Sequence, residues 1–469
     1  MNKITEYMKT KNNALCYSDV NKCLDLFSKI GGLRNASRNR VVEMFEEAFN
    51  ENPELAARIS YWARAAREGS GERNTFYLIL DEIAKCSPAF VSDNARTLAE
   101  LGYYKDLIRY FHIPGVVSAF AQSIREKDRL ACKWSPRKGE NAKLLRDELG
   151  FTNRDYRKWL KRYSTTVEQQ MSNREWDDVN YSSVPGGAMR RYGKAFETRD
   201  GKRFDEWKND KTTKASVSAS YPHEVMAVAV KDEQLAQKLW DNLPDLIKEG
   251  ENILPMIDTS GSMYGLPIEV AISLGLYLSI NNKGKFNSKY LTFSENPKLG
   301  HIPQGTLLEI RQKIMGDGWG MNTDFEKAYH LILDLAEKFD VKDEDMPTML
   351  LVLSDMQFDD SHNRGEKPHL DNIRRLFEER GYTMPKLVFW NLEGSHYGSP
   401  SMPSVDGVGM VSGFSPSIMK AVLDCDDFTP LGIMERALES IILNYDNLPK
   451  KLDIVKDEHE PEMTEYGWR

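Results

Sequence analysis

Two carboxylates and three hydroxyls, each placed where an apolar run or a glycine-rich stretch ends, are the residues of this chain best suited to chemistry. The stretch ILPMIDTSGSMYGLP, residues 253 to 267, leads an apolar run into Asp258 and then into Ser260 and Ser262 on either side of Gly261. Further on, GDGWGMN precedes Thr323-Asp324, and TMLLVLSD closes a second apolar run on Asp355. Any one of these could be a buried strand leaving a sheet through a polar turn. Together, Asp258, Ser260, Ser262, Thr323 and Asp355 make a hard-oxygen set. Such a set suits Mg²⁺ or Mn²⁺, with water or a ligand carboxylate completing the coordination.

Only a sheet with its strand ends gathered at one edge could bring these residues together. The runs Ile253–Ile257, Tyr290–Phe293, Met349–Leu353 and Leu387–Trp390 are short and apolar without strong alternation, as strands buried on both faces should be. Helical patterns fall between them at Pro267–Ile280, Phe325–Phe339 and Leu370–Glu379. Alternating strands and helices predict a doubly wound, Rossmann-like α/β sheet over 250–447, whose loops at the strand C-terminal ends form the binding edge. Upstream, NDKTTKASVSASYP has the small, polar composition of a surface connection, and a bridging helix is expected within 223–249, roughly from Glu224 to Ile247. Residues 448–469 form an acidic tail.

Residues 1–222 read as all-α. Asn52-Pro53 and Ser87-Pro88 are each a capping residue followed by a first-turn proline. Leu55, Ile59, Trp62, Ala63 and Ala66 recur at helical spacing until Gly69 and Gly71. Short helices joined by tight turns suggest stacked, HEAT-like helical repeats, although no repeat fixes a period.

The charge is divided between these regions. The net charge is −8, yet residues 1–250 carry a basic excess and 251–469 an acidic one. Basic residues concentrate between 133 and 163, and FTNRDYRKWLKRY supplies five of them. Arg154, Arg157, Lys158, Lys161 and Arg162 fall at i, i+3, i+4, i+7 and i+8, on one helix face, while Tyr156, Trp159, Leu160 and Tyr163 fill the other. A solvated face on a packed helix would look the same. Lys133, Arg137 and Lys138 in ACKWSPRKG, with Arg190 and Arg191 in PGGAMRRYGK, add cations in what read as loops. Clustered Arg and Lys interleaved with aromatics suit phosphate contacts and base stacking on RNA, with no DNA specificity expected.

Several function classes are disfavoured. No HExxH, GxSxG, Walker loop or dinucleotide fingerprint occurs, and the eight histidines are scattered. Cys16, Cys23, Cys86, Cys132 and Cys425 lie far apart without a CxxC pair, which reads as reduced packing residues. No run approaches the ~20 apolar residues of a membrane span, and the polar start lacks the apolar core of a secretory signal, so a cytoplasmic location and no membrane partner are expected.

DTSGS, the later TD and the later SD after an apolar strand resemble the metal-ion-dependent adhesion site (MIDAS) of a von Willebrand factor A domain. The resemblance implies metal roles for Asp258, Ser260, Ser262, Thr323 and Asp355, and a partner that supplies an acidic side chain to the ion. The third loop reads SDMQFD instead of the commoner aspartate-glycine, which leaves Asp355 and Asp359 both as candidates. GSGERNTFYLIL, LGYYKDLIRYF, ACKWSPRKG and MSNREWDDVNYSSVP resemble an uncharacterised family that pairs a helical domain with an A domain and is similar in layout to the Ro autoantigen (TROVE) proteins. That layout implies a non-catalytic, ribonucleoprotein-forming protein that binds small structured or single-stranded RNA. The alternative is a protein-interaction or assembly module with no RNA role.

Overall fold

The computed structural model describes residues 7–9, 15–17, 21–217, 220–316, 325–356, 370–393 and 406–454. Packing divides the chain into two units, Met1–Ala36 with Val217–Ala437, and Ser37–Ser216 with Leu438–Arg469. The boundaries drawn above at 222/223, 249/250 and 447/448 follow composition; the packing units exchange short terminal segments across them.

In the first unit a two-stranded antiparallel ribbon, β1 (Tyr7–Lys9) and β2 (Leu15–Tyr17), precedes a six-stranded sheet. The sheet comprises β3 (Ile253–Ile257), β4 (Lys289–Thr292), β5 (Leu299–His301), β6 (Met349–Ser354), β7 (Lys386–Asn391) and β8 (Val408–Ser412). Its order is β5-β4-β3-β6-β7-β8, parallel throughout except for β5, which runs antiparallel to β4. β3 and β6 are buried at every position, the pattern expected of central parallel strands covered on both faces. The sequence pattern missed β5 and β8, since LGH is too short and too polar to stand out and VGMVS lacks a flanking helical pattern on its N-terminal side.

On one face the helices Phe325–Lys338 and Leu370–Glu379 contribute Tyr329, Ile332, Leu333, Ile373 and Phe377 to the core. The helix Leu266–Asn281 is buried nearly all round, because it lies between β3 and the helix Pro222–Ala229. The expected bridging helix is two helices, Pro222–Ala229 and Glu233–Trp240. Asp232 explains the break: its carboxylate accepts from Leu235 N at 2.9 Å and starts a new helix. Pro244 then prevents continuation to residue 247, its carbonyl accepting instead from the Tyr277 hydroxyl. The helix Lys22–Ile30 packs on β8, where Gly31 N donates to Ser412 Oγ at 2.9 Å and a Cβ at Gly31 would collide with the Ser412 carbonyl.

Among the described residues of the second unit the regular elements are all helices, apart from one isolated bridge between Pro185 and Ser216, and the segment after Leu438 is turn and coil. Asn52 accepts from Leu55 N ahead of the helix Pro53–Arg64, and Ser87 accepts from Phe90 N ahead of Pro88–Asp93, so both proline starts are capped as the sequence indicates. The segment after residue 437 is fastened to this unit. Asn94 Oδ1 accepts from Asn444 N at 2.8 Å, and Arg58 Nη2 donates to the Leu438 carbonyl at 2.6 Å. Cys23, Cys132 and Cys425 are buried as expected of packing residues, whereas Cys86 is exposed.

Candidate functional site

β3 is the point at which the strand order reverses, because its sequence neighbour β4 lies on one side and β6 on the other. A crevice opens beyond the strand C-terminal ends at such a point. Asp258 follows β3 directly and Asp355 follows β6, and both carboxylates are about 1% exposed. Asp258 N donates to the Leu353 carbonyl at 3.1 Å, which holds the two strand ends in step. Ser260 N donates to Asp258 Oδ1 at 2.8 Å, and Ser354 Oγ donates to Oδ2 at 2.6 Å. Ser260 Oγ and Ser262 Oγ lie 3.1 Å apart on the outer side of the loop.

Burial and then the charge of Asp355 push the Asp258 carboxyl up to about 6, against the hydrogen bonds from Ser260 and Ser354 that lower it. Two buried carboxylates at adjacent strand ends, with the Ser260 and Ser354 hydroxyls beside them, are a hard-oxygen donor set of the kind a divalent cation takes. No group of three His, Cys, Asp or Glu side chains suited to a metal occurs among the described residues, and this set holds two carboxylates with hydroxyls instead. Thr323 and Asp359 lie outside the described residues, as do Asp324 and His362. The structure therefore brings together four of the five residues singled out. It adds Ser354, the buried last residue of β6, to which the sequence pattern assigned no role although it stands next to Asp355.

The helical unit holds the basic set. Thr152 caps the helix Asn153–Tyr163 by accepting from Asp155 N, and its hydroxyl donates to Asp155 Oδ2 at 2.6 Å, so the one acid of the first turn is engaged locally. Tyr156 and Leu160 are fully buried, with the Tyr156 hydroxyl on the Pro136 carbonyl at 3.0 Å. Arg154, Arg157, Lys158, Lys161 and Arg162 are all exposed, and none forms an ion pair among the described residues. Trp159 is half-buried, not in the core as its spacing suggested; its indole donates to the Ile124 carbonyl at 3.1 Å and its ring meets Phe151 and Tyr163.

The remaining cations divide. Lys133, in the last turn of the helix Arg129–Trp134, pairs with Glu168 at 3.1 Å, so its charge is already used. Arg137 reaches the Cys132 carbonyl and Ser164 Oγ, both at 3.4 Å, from the loop that also exposes Lys138. Arg190 and Arg191 sit in the long helix Gly186–Asn209, not in a loop. PGG, read as a loop signal, is here the start of that helix, with Pro185 in the capping position. Missing the helix hid Lys194 and Arg199, which continue from Arg191 at helical spacing.

Residues 10–115 and 113–250 match a family described as a domain of unknown function (DUF2828). The chain belongs to that family. Residues 252–447 match a second family of the same description (DUF7788), so the DUF2828 match covers the helical half and the other the sheet. An uncharacterized protein of Acanthamoeba polyphaga mimivirus is 26% identical to this DUF2828 chain, over 93% of this chain and 88% of that one. Among solved structures, the Ro (RSR) protein of Deinococcus radiodurans is similar at a TM-score of 0.45 and 12% identity, covering 90% of this chain and 99% of that one. No helix among the described residues is long and apolar enough to cross a membrane.

Proposed function

We propose that this chain is a non-catalytic RNA-binding protein of Ro-like type, whose HEAT-like helical unit takes small structured or single-stranded RNA. The exposed cations of the helix Asn153–Tyr163 carry this reading. Five positive side chains without a carboxylate partner among the described residues repel one another, and a phosphate backbone removes that repulsion while releasing counterions. Trp159 and Tyr163 of the same helix, both half-buried, lie with their ring centroids 4.8 Å apart and their planes tilted by 54°, which supplies the aromatic surface that unpaired bases use.

Replacing Arg157, Lys158 and Lys161 together with alanine tests it. Stability should change by only a few tenths of a kcal/mol, since exposed substitutions seldom move it by more than about 0.5. The slope of log affinity against log salt for single-stranded RNA should flatten by about 2, from roughly 0.7 per lost phosphate contact. A triple variant with the wild-type affinity and slope would remove the reading.

The sheet unit reads as a von Willebrand factor A domain, supported by its strand order, its single antiparallel edge strand and the placement of Asp258 and Asp355. Asp258, Ser260, Ser262 and Asp355, with Thr323, would hold Mg²⁺ or Mn²⁺. Such an ion offers a coordination position to a carboxylate of a partner. The adjoining Tyr264, 91% exposed, favours a second reading in which this edge is a protein-docking module. A partner whose capture needs both Mg²⁺ and Asp258, with RNA affinity absent from the whole chain, would establish that reading in place of the first.

A further inference from the structure

A groove of about 680 Å³ in the helical unit lies between the long helix Gly186–Asn209 and the segment that runs from the helix Val167–Asn173 to the 3₁₀ turn Trp176–Asp178. Its size falls in the range that encloses a small organic ligand. Arg191, Lys194 and Arg199 line one wall, at i, i+3 and i+8 of a single helix face, with the small Ala195 and Thr198 between them leaving open space. None of the three cations has an ion-pair partner among the described residues. The helix stops being regular at Asp200, one residue beyond Arg199, where that carboxylate is taken by the Tyr181 hydroxyl at 2.7 Å and by Arg203 at 2.8 Å. Glu168 is the acid in the groove, and Lys133 pairs with it.

Aromatics complete the lining. Trp176 is half-buried, braced edge-on by Phe196 at 6.5 Å, with its carbonyl fixed by Arg203 at 2.8 Å. Its indole N–H has no acceptor among the described residues. Tyr192, also half-buried, borders the same groove, with the Arg191 guanidinium 5.9 Å from its ring. Three cations without an ion-pair partner among the described residues, beside one braced, half-buried indole, define a ligand that is anionic, flat and rich in acceptors.

Resting on the RNA-binding reading above, we infer that this groove is a second RNA contact, which takes one unpaired nucleotide with its base against Trp176 and its flanking phosphates on Arg191, Lys194 and Arg199. An acidic peptide would satisfy the cations but leave the indole face and its N–H without a planar acceptor partner. The groove thus gives the helical unit a single-strand site of its own, on elements other than the helix Asn153–Tyr163.

The test uses the full chain and a fluorescein-labelled, single-stranded oligouridylate. Trp176→Ala should weaken binding roughly five- to a hundred-fold, Trp176→Phe should restore most of it, and the Arg191→Ala, Lys194→Ala, Arg199→Ala variant should flatten the salt slope by about 2. All three replace exposed or half-buried side chains, and thermal melts report whether each variant is folded. Photocrosslinking with 5-iodouridine should give an adduct mapping to Trp176. If wild type binds with a steep salt slope while all three variants bind equally well, the groove inference falls and the basic-helix reading stands. Absence of any salt-dependent binding by wild type would sink both. Displacement of the RNA by equimolar-charge polyglutamate, with Trp176→Ala unaffected, would assign the groove to an acidic protein and overturn the inference.

Discussion

At Asp258 burial and the nearby Asp355 charge both oppose ionisation, and the consequences can be followed by pH. The folded-state pKa of about 6 stands above the ordinary carboxylate value of 3.8, so the folded chain holds this proton more tightly than the unfolded one. Stability from this group is therefore full below about pH 4 and is lost as pH rises through 6. Asp258→Asn, which keeps the shape and removes the charge, should stabilise the metal-free protein by about 1–2 kcal/mol at pH 8, less than the full shift because Ser354 loses a charged acceptor. The gain should vanish at pH 4. Urea melts at both pH values would check it, and equal effects at the two would refute the assignment. Calorimetry should show Mg²⁺ or Mn²⁺ binding to wild type and none to Asp258→Ala; equal affinity would remove the metal site. On the basic helix, the buried Tyr156 and the half-buried Trp159 should separate. Tyr156→Ala should cost ~3–5 kcal/mol and Trp159→Ala only about 1–2, because a half-exposed ring leaves a smaller cavity.

Among the elements of the helical unit, one buried ion pair joins helices distant in sequence. Arg64, at the end of Pro53–Arg64, donates through Nε to Asp106 Oδ2 at 2.8 Å, and both side chains are 1% exposed. Asp106 also accepts from the Tyr77 hydroxyl at 2.6 Å and from Tyr103 N at 3.0 Å. Gly102 makes room for this cluster, since a Cβ there would meet the Asp106 carboxylate. Asp106→Ala should destabilise the protein by ~3–5 kcal/mol, because it strands a buried guanidinium and two donors at once. Arg96→Ala, which breaks only exposed pairs, those with Glu100 and Glu126, should leave the urea midpoint nearly unchanged. Similar midpoints for the two variants would show that the buried cluster does not hold these helices together.

Taken as a whole molecule, the chain should bind without turnover. Among the described residues the Asp258 carboxylate accepts from Ser260 N and the Ser354 hydroxyl, groups that orient a carboxylate and do not take up a proton at neutral pH. Incubated with RNA in Mg²⁺, wild type should return it uncleaved. Cleavage that disappears with Asp258→Ala would overturn this expectation. An overall charge of −8 does not preclude RNA binding, because cations gathered on one unit act within a Debye length of about 10 Å at 0.1 M salt.

Local signals determined much of this protein. The apolar runs at 253–257 and 349–353 define buried strands because central parallel strands need apolar residues on both faces, and Asp258 and Asp355 end them because the next residue leaves the sheet. Capping chemistry placed the helix starts at Asn52, Ser87 and Thr152, since an orphan N–H there finds its acceptor within three residues. Only the tertiary structure decided matters that depend on non-local contact. Periodicity assigned Trp159 a side of its helix, but its depth was set by Phe151, Tyr163 and the Ile124 carbonyl. Ser354 became a partner of Asp258 when β3 and β6 paired across 96 residues of sequence. Lys133 and Arg191 read alike as free cations, and a carboxylate 35 residues away from Lys133 neutralised only the first. The packing of Lys22–Ile30 on the edge strand β8 was equally hidden, because an amphipathic helix records that it has a buried face and not which surface will cover it.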